Sequence, residues 1–196
     1  MDDLAVIDTA AVATVALDPV KTRLLAQLSA PASAASLAGR VGLTRQKVNY
    51  HLRALEDHGL VEAAEERRWG GLTERLVVAT ASSYVISPSA LGSIGADPSR
   101  NSDRLSASYL IALAARVVRE VGDLWRNARQ SEKRLATLSI DTVIRFRSPA
   151  DRAAFTADLA SAVATLAARY HDERAPGGRP HRLVVASYPA PSEAHC

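Results

Sequence analysis

Cysteine is nearly absent from this chain of 196 residues, because its one cysteine is Cys196 at the C-terminal end. A lone terminal cysteine excludes an intramolecular disulfide and is too isolated for a thiolate metal site. The five histidines form no close pair at ligand spacing, so we expect neither a metal site nor a cofactor. Long apolar runs are also missing, and the acidic start MDDLAVID lacks the basic region of a signal peptide. The chain is therefore expected to be cytoplasmic and not bound to a membrane.

Aromatic residues are scarce at 5%, whereas the helix formers Ala, Leu and Arg are abundant, which predicts a helix-rich fold. The net charge is only +3 although the pI is about 9.3, so local clusters of charge say more about partners than their sum. The sequence shows no spacing typical of a nucleophile and its base, no phosphate loop and no outstanding carboxylate pair. We therefore expect no catalytic residues and no enzymatic activity.

Short helices are predicted over the first 58 residues, beginning with one at 8–16. Their start and stop signals are Asp18-Pro19, Ser33 or Ser36, Gly42, Thr44 and Gly59. After these helices the pattern changes to a strand, a Gly-Gly turn and a β-branched return strand that ends near Ala81. Residues 82–102 are rich in Ser, Pro and Gly and are expected to form a connector.

The C-terminal half predicts one long helix and then a strand–helix–strand unit. Between Asp103 and about Leu135, apolar residues recur at three- and four-residue steps over a wide arc, which indicates a helix buried on more than one side. Residues 136–189 contain two alternating apolar segments around a helix capped by Ser148. Since two strands make too small a sheet, further strands must come from elsewhere in the chain or from a second subunit. Residues 190–196 are expected to be a disordered tail.

The predicted helix 44–58 has two different faces. Val48, Leu52 and Leu55 share one narrow sector, while the opposite side is polar and its first turns are basic. A helix in a DNA major groove needs this division, because one stripe holds it to the protein while Arg, Lys, Gln and Asn reach bases and phosphates. The candidate DNA-binding residues on this helix are Thr44, Arg45, Gln46, Lys47, Asn49, Tyr50, His51 and Arg53. A packing or capping role for His51 is at least as well supported as a base contact.

A second basic cluster lies in the predicted hairpin. Arg67 and Arg68 precede its Gly-Gly turn, and Arg75 follows it. Cations at the tip of a hairpin can follow a phosphate backbone or enter a minor groove. In the order helix, helix, basic helix and basic hairpin, these elements predict double-stranded DNA as the partner.

The stretch DPVKTRLLAQLSAPASAASLAGRVGLTRQKVNYHLRALEDHGLVE resembles the winged helix-turn-helix of ArsR-like bacterial transcriptional regulators. The resemblance covers residues 15–81 and is carried by DPxxxRLL, SxxxLAxxxGLT and VxYHLxxLExxGLVE. It implies a homodimeric regulator of transcription that binds DNA with the 44–58 helix and with the wing, residues 60–81. We expect it to be a repressor that reads a palindromic operator. Members that sense metals use Cys or His/Asp clusters, which this chain lacks, so metal sensing is disfavoured. A winged helix used for protein–protein assembly without DNA is the remaining alternative.

Two uses of the C-terminal half stay open, and they are compatible with each other. The first is dimerisation through the long helix and the strand–helix–strand unit. The second is binding of an apolar or aromatic small-molecule effector, which would release the protein from DNA. The candidate pocket residues are Tyr109, Trp125, Arg145, Phe146, Phe155 and Tyr170.

The sequence as a whole predicts an α+β fold that is mostly helical. It places a winged helix-turn-helix domain at 1–81, a connector at 82–102, a dimerisation and effector region at 103–189, and a tail at 190–196. The expected fold class is thus an N-terminal winged helix-turn-helix, a long dimerisation helix and a C-terminal strand–helix–strand unit.

Overall fold

A computed structural model of the chain describes residues 1–69 and 72–191, without the side chains of 67–73. The predicted disordered tail therefore falls mostly outside the described residues. The chain divides into two units, Met1–Leu135 and Ala136–Cys196. The long helix belongs to the first unit, so this division differs from the predicted one at residue 102. Within the described ranges, no helix combines the length and apolar character that crossing a bilayer requires.

The first unit contains both helices and strands, and the described part of the second unit contains one helix. In chain order they are β1 (Ala5–Ile7), α1 (Ala10–Ala16), α2 (Pro19–Leu25), β2 (Ala32–Ser33), α3 (Ala34–Val41), α4 (Arg45–Asp57), β3 (Val61–Trp69), β4 (Leu72–Ala79), β5 (Tyr84–Ile86), α5 (Ala107–Gln130) and α6 (Pro149–Tyr170). Two 3-10 segments, Pro88–Ile94 and Pro98–Arg100, lie in the predicted connector. The α+β class and its helix-turn-helix are thus confirmed.

Side-chain caps fix where the first helices begin. The Asp18 carboxylate accepts hydrogen bonds from the N–H groups of Val20 at 2.9 Å and Lys21 at 3.0 Å. The hydrogen bond from the Lys21 backbone is the main reason why the pKa of Asp18 lies below its ordinary value. Ser33 and Ser36 form a reciprocal capping box at the start of α3. The sequence left the choice between these two serines open, and the structure uses both.

The core of the first unit lies between the helices and the hairpin. Its apolar side chains come from α2, α3, α4 and the sheet. They include Leu24, Leu28, Leu37, Val48, Leu52, Leu55, Leu60, Val61 and Val77. The sheet has the order β2-β4-β3 and is antiparallel, with the predicted hairpin formed by β3 and β4. This core holds α4 on one side and leaves its other side to solvent.

A small parallel sheet that the sequence did not predict ties the N-terminus to α5. Strand β1 pairs with β5, and Val6 of β1 lies so close to α5 that a Cβ on Gly122 would be 3.0 Å from Val6 Cγ1. Arg126 of α5 also pairs with Asp8, with Nη2 3.0 Å from Oδ2. The acidic N-terminus is therefore structural, because it anchors the long helix to the rest of the first unit.

The strand predictions for the second unit are wrong for the single chain. The helix between them, α6, forms as predicted, with Ser148 Oγ accepting from the Asp151 N–H at 3.1 Å. The described residues 136–147 and 171–191 contain no strand, although their apolar alternation is typical of one. A strand exists only when a neighbour accepts and donates its backbone hydrogen bonds. This unit supplies no such neighbour among its described residues.

Candidate nucleic-acid interface

The turn between α3 and α4 is set by a glycine and a threonine. Gly42 ends α3 in the left-handed conformation at φ +69°, and the Leu43 N–H donates to the Ala38 carbonyl at 3.1 Å. Thr44 then caps α4, since its Oγ1 accepts from the Lys47 N–H at 3.3 Å. Thr44, a predicted DNA contact, thus has a structural role in the chain: it starts the helix that carries the other candidates.

The inner face of α4 is buried in the core. Val48 and Leu55 have no exposed surface, and Leu52 is also buried. These three side chains pack with those of α2, α3 and the hairpin in the same cluster. This face fixes the rotation of α4 about its axis, and with it the direction of every polar side chain on the helix.

The outer face of α4 brings five predicted DNA contacts together. Their side chains are exposed and line one continuous open surface, which we call the α4 surface; they are Arg45, Gln46, Asn49, Tyr50 and Arg53. Tyr50 is 70% exposed, so most of its ring contacts no other part of the protein. An arrangement of two guanidinium groups, two amides and one phenol matches the groups that read base edges and hold phosphates.

Two predicted contacts on α4 lie outside this surface. Lys47 is exposed beside it, on the first turn of the helix. His51 is half-buried, and its ring packs edge-on against Tyr50 with 5.4 Å between the ring centres. His51 Nδ1 is buried and has no hydrogen-bond partner among the described residues. The geometry of His51 favours the packing role that the sequence already suggested, because its ring supports Tyr50.

The hairpin places its basic residues in two different situations. Arg67 and Arg68 lie on β3, opposite Glu74 and Thr73 of β4, and their side chains are outside the description. Arg75 Nη1 donates to Glu56 Oε2 of α4 at 2.9 Å, and its Nη2 pairs with Oε1. This two-pronged ion pair ties the hairpin to the C-terminal end of α4. Sequence reasoning assigned Arg75 to DNA and missed Glu56 as its partner, although the sequence shows both charges.

The predicted pocket residues do not gather in one place within a unit. Tyr109 and Trp125 are 16 residues apart on α5, a separation of about 24 Å along the helix. In the second unit, Phe155 and Tyr170 are 15 residues apart on α6, a separation of about 22 Å along the helix. Phe146 and Phe155 do meet, with 5.3 Å between their ring centres, and Arg145 is exposed beside them. Over the described part of the chain, no three His, Cys, Asp or Glu side chains are grouped as metal ligands.

Residues 16–63 match the model of a family described as a helix-turn-helix domain. The match covers α2, α3, α4 and the start of β3, the elements that build and orient the α4 surface. A comparison with curated proteins gives no match. The family match does not distinguish ArsR-like regulators from other winged helix-turn-helix proteins. Sequence, fold and family model agree that this chain carries a helix-turn-helix domain, a type of domain found in DNA-binding transcription regulators.

Proposed function

We propose that this protein is a homodimeric transcriptional repressor of the ArsR-like type, which binds a palindromic operator through α4 and the wing. The observation that carries the proposal is the division of α4 into a fully buried apolar face and the α4 surface. A helix that is held by three buried side chains and projects five base- and phosphate-binding groups matches the geometry of a major-groove reader.

In this proposal, some side chains of the α4 surface contact phosphates and others contact bases. Arg45 lies on the first turn beside Lys47, where cations suit the phosphates on the groove edge. Gln46 and Asn49 carry the amides that pair with adenine N6 and N7, and Arg53 carries the fork that fits guanine O6 and N7. We therefore assign positioning to the first turn and base recognition to the residues that follow it.

The dimer in this proposal uses α5. This helix exposes large apolar side chains, among them Ile111, Val121 and Leu124, that no part of the described first unit covers. A two-fold partner would cover them and would set the two α4 helices at half-sites about 34–36 Å apart. Release by a small organic effector stays a prediction, and the Phe146–Phe155 contact is the best-defined start for its site.

The experiment is fluorescence anisotropy with DNA from the region upstream of the protein's own gene, repeated at rising salt. If the protein makes six to ten phosphate contacts, its affinity should fall about 10³- to 10⁵-fold between 50 and 200 mM salt, because bound counterions are released. Gln46→Ala should lower affinity for the operator by about 5- to 150-fold. Gln130→Ala is the matched control: it removes the same side chain from the exposed end of α5, and should bind as the wild type does.

Two results would refute the proposal. One is the absence of any specific, salt-sensitive complex with the upstream DNA, which would favour a winged helix used for protein–protein assembly. The other is an equal loss of affinity in Gln46→Ala and Gln130→Ala, which would place the contacts away from α4. The oligomeric state of both variants, measured by sedimentation, shows that a loss of binding is not a loss of the dimer.

A further inference from the structure

The second unit, Ala136–Cys196, lacks a core of its own. None of its described residues is buried, and its helix α6 has no buried side chain along 22 residues. A chain of 61 residues must bury more than half of its surface to offset the loss of conformational entropy on folding. The surface that stabilises this unit is therefore not found within the unit itself.

The apolar surface that is left open has the pattern of an incomplete sheet with its helix. Leu138 and Ile140 are 84% and 85% exposed and share one face of the alternating segment 138–146. In the segment 183–188, Leu183 and Val185 are exposed at positions that share one face of an alternating segment, and Tyr188 is exposed at a position on the other face. On α6 the apolar residues follow steps of three and four and form one stripe; they are Phe155, Leu159, Val163 and Leu166. Both segments thus expose apolar side chains, and the stripe on α6 is only partly covered, since Phe155, Leu159 and Val163 are half-buried and Leu166 is exposed.

Contacts within the second unit already hold one of these segments against α6. The Phe146 ring contacts Phe155, and Arg147 Nε lies 3.5 Å from Asp151 Oδ2, so the end of the first segment is held against the first turns of α6. The Ser148 cap fixes the start of the helix between them. The segment therefore leaves α6 in a defined direction, and what it lacks is a hydrogen-bonding neighbour.

The uncovered surface is large enough for the interface of an obligate dimer. The chain of 20.9 kDa exposes 15173 Å². Two separate folded units of the sizes found here would together expose only about 10,700 Å². The excess is about 4,500 Å² for each chain, or about 9,000 Å² for two chains, whereas an obligate homodimer interface buries about 2,000–5,000 Å² or more from both chains together.

We propose that the second unit is completed by the second unit of another copy of this chain. Segments 138–146 and 183–188 of both copies form one shared sheet of four strands, and both α6 helices cover its apolar face. Two strands in one chain are too few for a stable sheet, whereas four strands with two helices enclose a core. Charge does not oppose this pairing, since residues 136–196 contain seven arginines and six acidic residues, a net charge of +1. The shared core goes beyond the α5 contact, and it rests on the proposed function only for its effect on DNA binding.

The consequence is that this unit folds and dimerises in one step. Its strands exist only in the dimer, so their amide protection depends on protein concentration. In the proposed function, this makes operator affinity fall steeply below the dissociation constant of the dimer, because a monomer reaches one half-site only.

The test uses the full chain and two substitutions one residue apart. Ile140→Asp places a charge on the apolar face, and Ser139→Asp places the same charge on the opposite face, because side chains alternate along a strand. We expect a wild-type dimer in sedimentation at micromolar concentration and slow hydrogen exchange at 138–146 and 183–188. Ile140→Asp should raise the dimer dissociation constant at least 100-fold and abolish that protection, while Ser139→Asp should stay dimeric. Amides of α4 should remain protected in both variants, which shows that the first unit is folded.

Other outcomes overturn the inference. Each of four results would do so. The wild type could be monomeric, or Ile140→Asp could leave the dimer intact. The amides of 138–146 could exchange rapidly in the dimer, or both variants could dissociate equally. A monomer that instead binds a different protein through this unit would do the same. Failure of the proposed function looks different: the dimer and its protected strands would be present, and no upstream DNA would bind. If the shared sheet and the proposed function are both correct, Ile140→Asp should bind DNA weakly as a monomer, and this binding should still weaken with rising salt.

Discussion

Leu52 and Arg53 are neighbours in the sequence, yet they should have opposite roles. They lie about 100° apart around α4, which is enough to put Leu52 into the core, with 6% of its surface exposed, and Arg53 onto the α4 surface. Leu52→Ala should lower the free energy of unfolding by about 2–5 kcal/mol, because a buried side chain is replaced by a cavity. Arg53→Ala should change it by less than about 0.5 kcal/mol, because Arg53 is exposed.

DNA binding should show the reverse order at a temperature where both variants are folded. Loss of a two-pronged contact to guanine costs about 1–3 kcal/mol, so Arg53→Ala should bind the operator about 5- to 150-fold more weakly. If Arg53 holds a phosphate instead, the loss should be equal on all sequences and the salt slope should fall by about 0.9. Leu52→Ala, once folded, should bind with nearly wild-type affinity, because its side chain does not reach the α4 surface.

Urea unfolding followed by circular dichroism measures the first quantity, and fluorescence anisotropy on operator and scrambled DNA measures the second. Two results would refute the reasoning about the two faces. One is a loss of more than about 1 kcal/mol of stability in Arg53→Ala. The other is wild-type stability in Leu52→Ala. Unchanged DNA affinity in Arg53→Ala would remove this residue from the interface.

Three further predictions concern the scaffold that positions α4. Gly42→Ala should lower the free energy of unfolding by about 1 kcal/mol, because the φ of Gly42 is +69°. Gly39→Ala should raise the free energy of unfolding by up to about 1 kcal/mol, because Gly39 lies inside α3 and nothing is within 4 Å of the added methyl group. Urea unfolding measures both changes. Asp18→Ala should cost about 1 kcal/mol at pH 7 through loss of the α2 cap. The pKa of Asp18 is lower in the folded state than its unfolded value of about 3.9. The difference in stability between the wild type and Asp18→Ala should therefore be fully present above that unfolded pKa and vanish as the pH falls through the folded-state pKa. Urea titrations at decreasing pH measure this difference. Gly122→Val should force Val6 and β1 away from α5 and lower stability by about 1–3 kcal/mol, measured as a lower midpoint of thermal unfolding.

The helices were predictable because their signals are local. Asp18, Ser33, Thr44 and Ser148 all cap helices where the sequence places them, and Gly42 ends α3 as expected. A cap bonds to N–H groups two or three residues away, so the sequence holds both partners within one short stretch. The buried stripe of α4 was predictable for the same reason, because Val48, Leu52 and Leu55 follow the period of one helix.

Contacts between distant parts of the chain were not predictable from such signals. Strand β1 has three residues, which is too short for a periodic pattern, and it exists because β5 lies 79 positions further along the chain and pairs with it. The Arg75–Glu56 ion pair joins two residues that are 19 positions apart, and no local sequence pattern indicates that these two charges are in contact. Likewise, the alternation at 138–146 showed a strand-like segment but could not supply its neighbour.

The sequence by itself thus determined the helix-turn-helix, the hairpin that follows it and the polar residues on the outer face of α4. The reason is that caps, turns and helical periods each depend on residues that are close together in the sequence. Only the tertiary structure decided that Arg75 holds the hairpin to α4 and that the acidic N-terminus anchors α5. It also decided that none of residues 136–191 is buried within one chain. The physical reason is that ion pairs, ring contacts and strand pairing depend on which surfaces meet, and that is a property of the folded chain rather than of any segment.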